Sequence, residues 1–93
     1  MARLLDFCGR RWALRVIWEL RGGPASFRAL KASCGGISPS VLQRRLHELR
    51  DYGVIEAIPR LGYRLSVRGE RLYPILAELN RWAETRSASP GSW

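Results

Sequence analysis

The spacing of apolar positions changes character along this chain, and each change marks an element. Between Ser38 and Gly53, Leu42, Leu46 and Leu49 recur at i, i+4 and i+7, the period of one helix face. Ser40, Gln43, Arg44 and His47 follow helical spacing on the other side. Ser38 suits an N-cap, Pro39 the first helical position, and Gly53 the left-handed residue that ends a helix. The pattern predicts a helix over 38–52 with one dry face and one face built for hydrogen bonding.

The flanking segments read just as directly. Leu4, Leu5 and Phe7 form a short apolar entry that ends near Gly9. Over 12–21, Trp12, Ala13, Val16, Ile17 and Leu20 cover a broad arc, Leu14 and Trp18 lie outside it, and only Arg15 and Glu19 make a polar strip. A helix this apolar is buried on more than one side, and Gly22-Gly23-Pro24 closes it. Ser26 caps a helix over 27–33, with Phe27 and Leu30 inward and Arg28 and Lys31 outward. The short glycine-bearing turn 34–37 leads into the helix over 38–52, which makes a helix-turn-helix. Residues 54–58 and 63–67 have strand composition around the tight turn 59–62, so a β-hairpin follows directly. Ser66 caps a last helix to about residue 86, in which Leu72, Leu76, Leu79 and Ala83 form an apolar line flanked by Ile75 and Trp82. Pro74 falls inside it, a position where a helix can kink. Residues 88–93 read as a frayed, disordered tail, which leaves 1–87 as one winged helix-turn-helix domain, mainly α with a small β-hairpin.

Composition narrows what such a domain does. The 93 residues are 46% apolar, enough for a core and too much for wholesale disorder. A chain of this size buries only about 60–65% of its unfolded surface, so pairing with a second chain would stabilise it. The formal net charge of +8 and the pI near 11.0 favour an anionic partner, with nucleic acid ahead of a membrane surface. Fifteen of the sixteen basic residues are Arg, the better group for bidentate contact to phosphate and guanine, although a G+C-rich genome would also favour its codons. Cys8 and Cys34 form no C-x-x-C pair, and the single His completes no metal cluster with them; neither a cofactor nor a metal is expected. The N-terminus lacks the apolar run of a signal peptide and no stretch approaches a membrane span, so a cytoplasmic, nucleoid-associated protein is expected. One His, no nucleophile–base pair and no phosphate-cradling loop argue against an enzyme.

The motifs also carry a family likeness. Leu5-Asp6-Phe7-Cys8-Gly9-Arg10-Arg11-Trp12 resembles the Leu-Asp-x-x-Gly-Gly-Lys-Trp entry of the HxlR family of bacterial transcription regulators, within the MarR-like superfamily. Gly23-Pro24 with Phe27-x-x-Leu30, Gly36-Ile37-Ser38 with Leu42, Arg45, Leu46 and Leu49, Gly53-Val54-Ile55-Glu56, and Tyr63-x-Leu65-Ser66-x-x-Gly69 resemble its later motifs in order. The likeness spans roughly residues 4 to 84. It implies a homodimeric, sequence-specific DNA-binding regulator held together by its N- and C-terminal helices. This chain departs from the family pattern in several places. A Cys-Pro element often stands about ten residues before the family's entry motif, and this chain starts too late to hold it. Cys8 occupies an apolar family position, the wing turn is shorter than usual, and Arg10 replaces the second Gly. The expectation is therefore neither family-type redox sensing nor deep minor-groove insertion.

Specific roles follow. The helix over 38–52 fits a major groove of double-stranded DNA, where Gln43 suits adenine, Arg44 suits guanine, and Ser40 and His47 can reach a base edge or a phosphate. The helix N-terminus with Ser38 favours a phosphate. Arg28 and Lys31 project where such a helix crosses the backbone, and Arg60 and Arg64 project from the wing. Arg45 lies at the edge of the apolar face and is expected to pair with an acid of its own domain, while Arg50 complements the helix dipole. Leu4, Leu5, Phe7, Leu14, Trp18, Ile75, Leu79 and Trp82 are the expected homodimer seam. Cys8, followed by Gly9-Arg10-Arg11, is the candidate redox residue, against the alternative of a small apolar filler. A homodimer on a pseudo-palindromic operator is the leading reading; a winged helix that serves only as a protein-interaction module is the alternative. No effector is specified by the residues.

Overall fold

The structure, a computed structural model, describes residues 1–85 apart from the side chain of Leu4. Five helices and one hairpin follow in the order α1 (Ala2–Gly9), α2 (Ala13–Glu19), α3 (Phe27–Cys34), α4 (Pro39–Asp51), β1 (Ile55–Ile58), β2 (Gly62–Leu65) and α5 (Val67–Glu84). The architecture is a winged helix-turn-helix. Residues 86–87 of the expected domain and the tail 88–93 lie outside the described residues.

Local chemistry explains most boundaries. The hydroxyl of Ser26 accepts from the Ala29 N–H at 3.0 Å and that of Ser38 from the Val41 N–H at 3.2 Å, so α3 and α4 each start on a serine cap. Helix α4 ends in a Schellman turn: the Gly53 N–H reaches the Arg50 carbonyl at 3.0 Å and the Val54 N–H reaches the Leu49 carbonyl at 3.1 Å. Gly53 has φ 83°, a conformation that costs a residue with a Cβ roughly 1–2 kcal/mol.

The first two helices differ from their expected form. The apolar entry is a full helix, α1. Trp12, expected inside the next helix, instead precedes it as its N-cap with left-handed φ 77°, because the chain turns a corner there between α1 and α2.

The core is a single apolar cluster that joins Phe7, Ala13, Val16, Ile17 and Leu20 to Leu30, Cys34 and Ile37 of the helix-turn-helix. Leu42, Leu46 and Leu49 of α4 and Val54, Ile55 and Leu65 of the wing complete it. No polar or charged side chain is buried among the described residues. Arg15 closes one gap at the core edge: its Nη2 donates to the Ser33 carbonyl at 3.0 Å near the end of α3, while its Nε meets Glu19 at 2.8 Å.

The hairpin pairs Ile55 with Leu65 and Ile58 with Gly62. A single-residue bridge supports it, since Ala25 and Tyr63 exchange both backbone hydrogen bonds at 2.9 Å. Ser66 then binds the wing to α5. Its N–H donates to the Val54 carbonyl at 3.0 Å, its hydroxyl donates to the Gly53 carbonyl at 2.6 Å, and the same oxygen accepts the Gly69 N–H at 3.1 Å.

Gly69 sits under this knot with no room for a side chain, since a Cβ there would lie 2.0 Å from the Val54 carbonyl oxygen. Gly69→Ala is therefore expected to destabilise the fold by about 2–3 kcal/mol, from overpacking against backbone that cannot yield. Urea denaturation at matched protein concentration checks this; an unchanged midpoint would contradict the packing described.

Candidate nucleic-acid interface

Helix α4 turns Leu42, Leu46 and Leu49 into the core and leaves Ser40, Gln43, Arg44 and His47 exposed on its outer side. Among the described residues, Gln43, Arg44 and His47 make no side-chain hydrogen bond or ion pair within the chain, so their polar groups face solvent. Ser38 is committed to its cap, and its hydroxyl lies 3.4 Å from that of Ser40. On α3, Arg28 and Lys31 are exposed and equally unengaged.

The wing treats its two arginines differently. Arg60 stands at the hairpin tip and is exposed. The Leu61 N–H reaches back to the Ile58 carbonyl at 3.1 Å, Pro59 occupies the second position of this turn, and Arg60 has φ 68°. This is the type II pattern, which prefers glycine where Arg60 stands. Arg64, expected as a free cation, is instead held across the strands: its Nε meets Glu56 at 2.9 Å on the neighbouring strand, its register partner. Its charge is locally compensated.

Arg50 stands in the last turn of α4, as the helix-dipole role expects. It is exposed and unengaged, and it shares with His47, Asp51, Glu56 and Ala57 a shallow groove between α4 and β1. Gln43, His47 and Arg50 also recur at i, i+4 and i+7. Residues 26–65 carry seven basic and three acidic side chains, and two of those acids, Glu48 and Glu56, are held in internal ion pairs. Residues 26–65 thus carry a net +4, seven basic less three acidic side chains, and among the described residues Arg28, Lys31, Arg44, Arg50 and Arg60 have no internal ion pair.

Arg45 has the expected internal role. Its Nη1 meets Glu48 at 2.6 Å, and its Nε donates to the Arg11 carbonyl at 2.8 Å.

The residues expected at a dimer seam separate into groups. Leu5, Ile75, Leu79 and Trp82 are exposed, at 56–63% of their full surface. Leu14 and Trp18 are half-buried and line, with Leu76, Leu79 and Ala83, a groove between α2 and α5. Arg21 covers part of Trp18, its guanidinium 4.1 Å from the ring centroid. Phe7 corrects the expectation: it is 8% exposed and stacks on Tyr52 at 4.2 Å between centroids, so its ring is spent inside its own core. Leu4 lies outside the described side chains.

The cysteines differ in setting. Cys8 is exposed on α1, and Cys34 is buried. Burial pushes the Cys34 thiol above its ordinary pKa of 9.0; Arg15 opposes this and Glu19 adds to it. No group of three or more His, Cys, Asp or Glu able to hold a metal occurs among the described residues. None of the described helices is long and apolar enough to cross a membrane.

A reading helix carried on a helix-turn-helix, flanked by a wing and a patch of free cations, defines a DNA-binding transcription regulator of the winged-helix class. The chain belongs to the HxlR-like helix-turn-helix family, whose model matches residues 7–89. It is 33% identical to the HTH-type transcriptional regulator YvaP of Bacillus subtilis, over 87% of this chain and 81% of that one. The solved structure of quinone-bound YodB from the same organism superposes with a TM-score of 0.83 at 28% identity, covering 91% of this chain and 94% of that one. A MarR-family regulator from Enterococcus faecalis V583 superposes at 0.78 with 31% identity, covering 90% and 82% of the two chains.

Two outcomes follow from the geometry. Arg60→Gly is expected to raise stability by about 1 kcal/mol by removing left-handed strain, and to weaken duplex binding if the guanidinium touches DNA; thermal melts and binding titrations of the same sample read the two effects separately. Cys34, with its folded pKa raised, contributes stability that is present below the unfolded value of 9.0 and lost as pH rises toward the folded one. Cys34→Ser should flatten that alkaline loss in melts run above pH 9.0, the ordinary value of the thiol it removes.

Proposed function

We propose that the chain acts as a homodimer on a pseudo-palindromic operator, with α4 of each copy in a major groove. The observation that carries this is the row of exposed, unengaged polar side chains on α4 directly behind a row of fully buried leucines. Such a helix is rigid, because its back is core, and its front has nothing within the chain to satisfy it.

Gln43 and Arg44 read base edges, with Ser40 and His47 at base edge or phosphate. Arg28 and Lys31 hold phosphates and fix register without reading sequence. Ser38 presents the helix N-terminus to a phosphate, and Arg50 extends the contact along the groove. Arg60 reaches the backbone from the wing, while Arg64 contributes only by exchanging Glu56 for a phosphate. The dimer seam uses Leu5, Leu14, Trp18, Ile75, Leu79 and Trp82, which place the terminal helices of two copies against each other. The working compartment is the cytoplasm, on chromosomal DNA.

Duplex titration across salt concentrations tests the reading. The log–log slope should be about −0.9 for each phosphate contact. Arg44→Ala should cost about 1–3 kcal/mol on a selected site and much less on random duplex, whereas Lys31→Ala should weaken both to a similar degree. A variant lacking Arg44 that ranks sites as before would remove it from the reading set. Undetectable binding at low salt would turn the chain back to a winged helix that serves as a protein-interaction module.

A further inference from the structure

Helix α4 is attached to the rest of the chain in an uneven way. Leucines hold its back, and apolar contacts of that kind are non-directional: they fix the depth of the helix more firmly than its axial direction. Two directional contacts add to them. Arg45, whose side chain is 12% exposed, donates to the Arg11 carbonyl at the corner between α1 and α2, and is steered there by Glu48. Among the described residues this is the only hydrogen bond between α4 and the α1–α2 segment. Seven residues on, Tyr52 stacks on Phe7 of α1 with planes 10° apart, and the guanidinium of Arg68 on α5 lies 4.7 Å from the centre of the same ring. Seven helical residues span roughly 10.5 Å. The N-terminal segment therefore grips α4 at two separated points, and α5 joins at the second.

Two points fix a direction where one would leave a pivot. The gripping elements, α1 and α5, are also the ones that leave Leu5, Ile75, Leu79 and Trp82 exposed. We infer that Arg45 and Tyr52 are positioning residues that set the spacing between half-sites, by locking the direction of α4 to the helices of the dimer seam. This rests on the dimeric DNA-binding reading above. In a two-fold dimer the separation and angle of the two reading helices decide which half-site spacing can be bound. A freer α4 would still read a half-site but would accept several spacings.

The test begins with a duplex selected by the wild-type chain from random sequence. Its half-sites are then moved apart or together one base pair at a time, and a duplex with a single half-site serves as the control. The wild-type chain should lose roughly tenfold in affinity per base pair of displacement, the scale of a misplaced specific contact. For Arg45→Met and Tyr52→Leu the loss should shrink to within about threefold, while single half-site affinity stays within about twofold of wild type. A variant that melts earlier yet keeps the wild-type spacing profile would overturn the inference, since a merely stabilising residue behaves that way. If Arg45→Met does not fold, Arg45→Lys decides on the same readout: it keeps the charge near Glu48 but loses the planar fork. A wild-type chain that binds no duplex would defeat the parent reading itself, a failure distinct from an unchanged spacing profile.

Discussion

Ser66 is the point on which the other elements depend. Within three residues α4 ends and β1 begins, and ten residues later β2 ends and α5 begins at the same place in space. The carbonyls of Gly53 and Val54 leave the Schellman turn without helical partners, and Ser66 satisfies both, one through its hydroxyl and one through its backbone. The same oxygen starts α5 by accepting the Gly69 N–H. One residue thus ties the end of the reading helix to the base of the hairpin and caps the last helix. The approach is so close that Gly69 has no space for a Cβ. Threonine could supply the hydroxyl, but its methyl would have to be accommodated in this crowded junction; alanine would leave a carbonyl and a helix start unsatisfied.

Arginine does two separate jobs in this chain, and burial and partner choice tell them apart. Arg45, Arg15 and Arg21 end on backbone carbonyls of Arg11, Ser33 and Trp18, at the turns and helix ends of the fold. Arg10, Arg64 and Arg81 are paired with Asp6, Glu56 and Glu78 at exposed sites, where such pairs contribute on the order of 0–1 kcal/mol. Arg28, Arg44, Arg50 and Arg60 have neither kind of partner among the described residues. Glu48 and Glu56 are taken up by Arg45 and Arg64, which leaves Arg28, Lys31, Arg44 and Arg50 of the helix-turn-helix without an ion pair among the described residues. A net charge of +8 alone would not distinguish a DNA-binding face from an evenly basic surface; the fold does, by setting unpaired cations on the exposed sides of α3 and α4.

What could be read from the sequence was whatever is set within about one helical turn. The caps Ser26, Ser38 and Ser66, the leucine row of α4 and the turn before the last helix are all local chemistry, and each stands where the pattern put it. The departures are all non-local. Trp12 has helix-compatible neighbours, but the corner between α1 and α2 forces its φ to 77°. Phe7 looked like a surface apolar residue because its partner, Tyr52, is 45 residues away. The Ala25–Tyr63 bridge pairs a single residue, too short to leave any periodicity. The pairing of Arg64 depends on the hairpin register, which brings Glu56 opposite it. Composition and spacing cannot see such contacts.

The short wing places a limit on how recognition can be divided. Its turn holds only Pro59, Arg60 and Leu61 between the strands, closed by a single hydrogen bond at 3.1 Å. Proline and the closing bond make the tip stiff, so it cannot extend to follow a groove. The turn keeps its compact form despite the left-handed φ of Arg60, because opening it would give up the closing bond without lengthening the loop. A stiff, short tip can offer one cation and one exposed leucine, Leu61 at 60% exposure, to whatever lies beside α4. Discrimination among base pairs then falls on Gln43, Arg44 and their neighbours, and the direction of α4 matters more than it would with a long wing to share the reading.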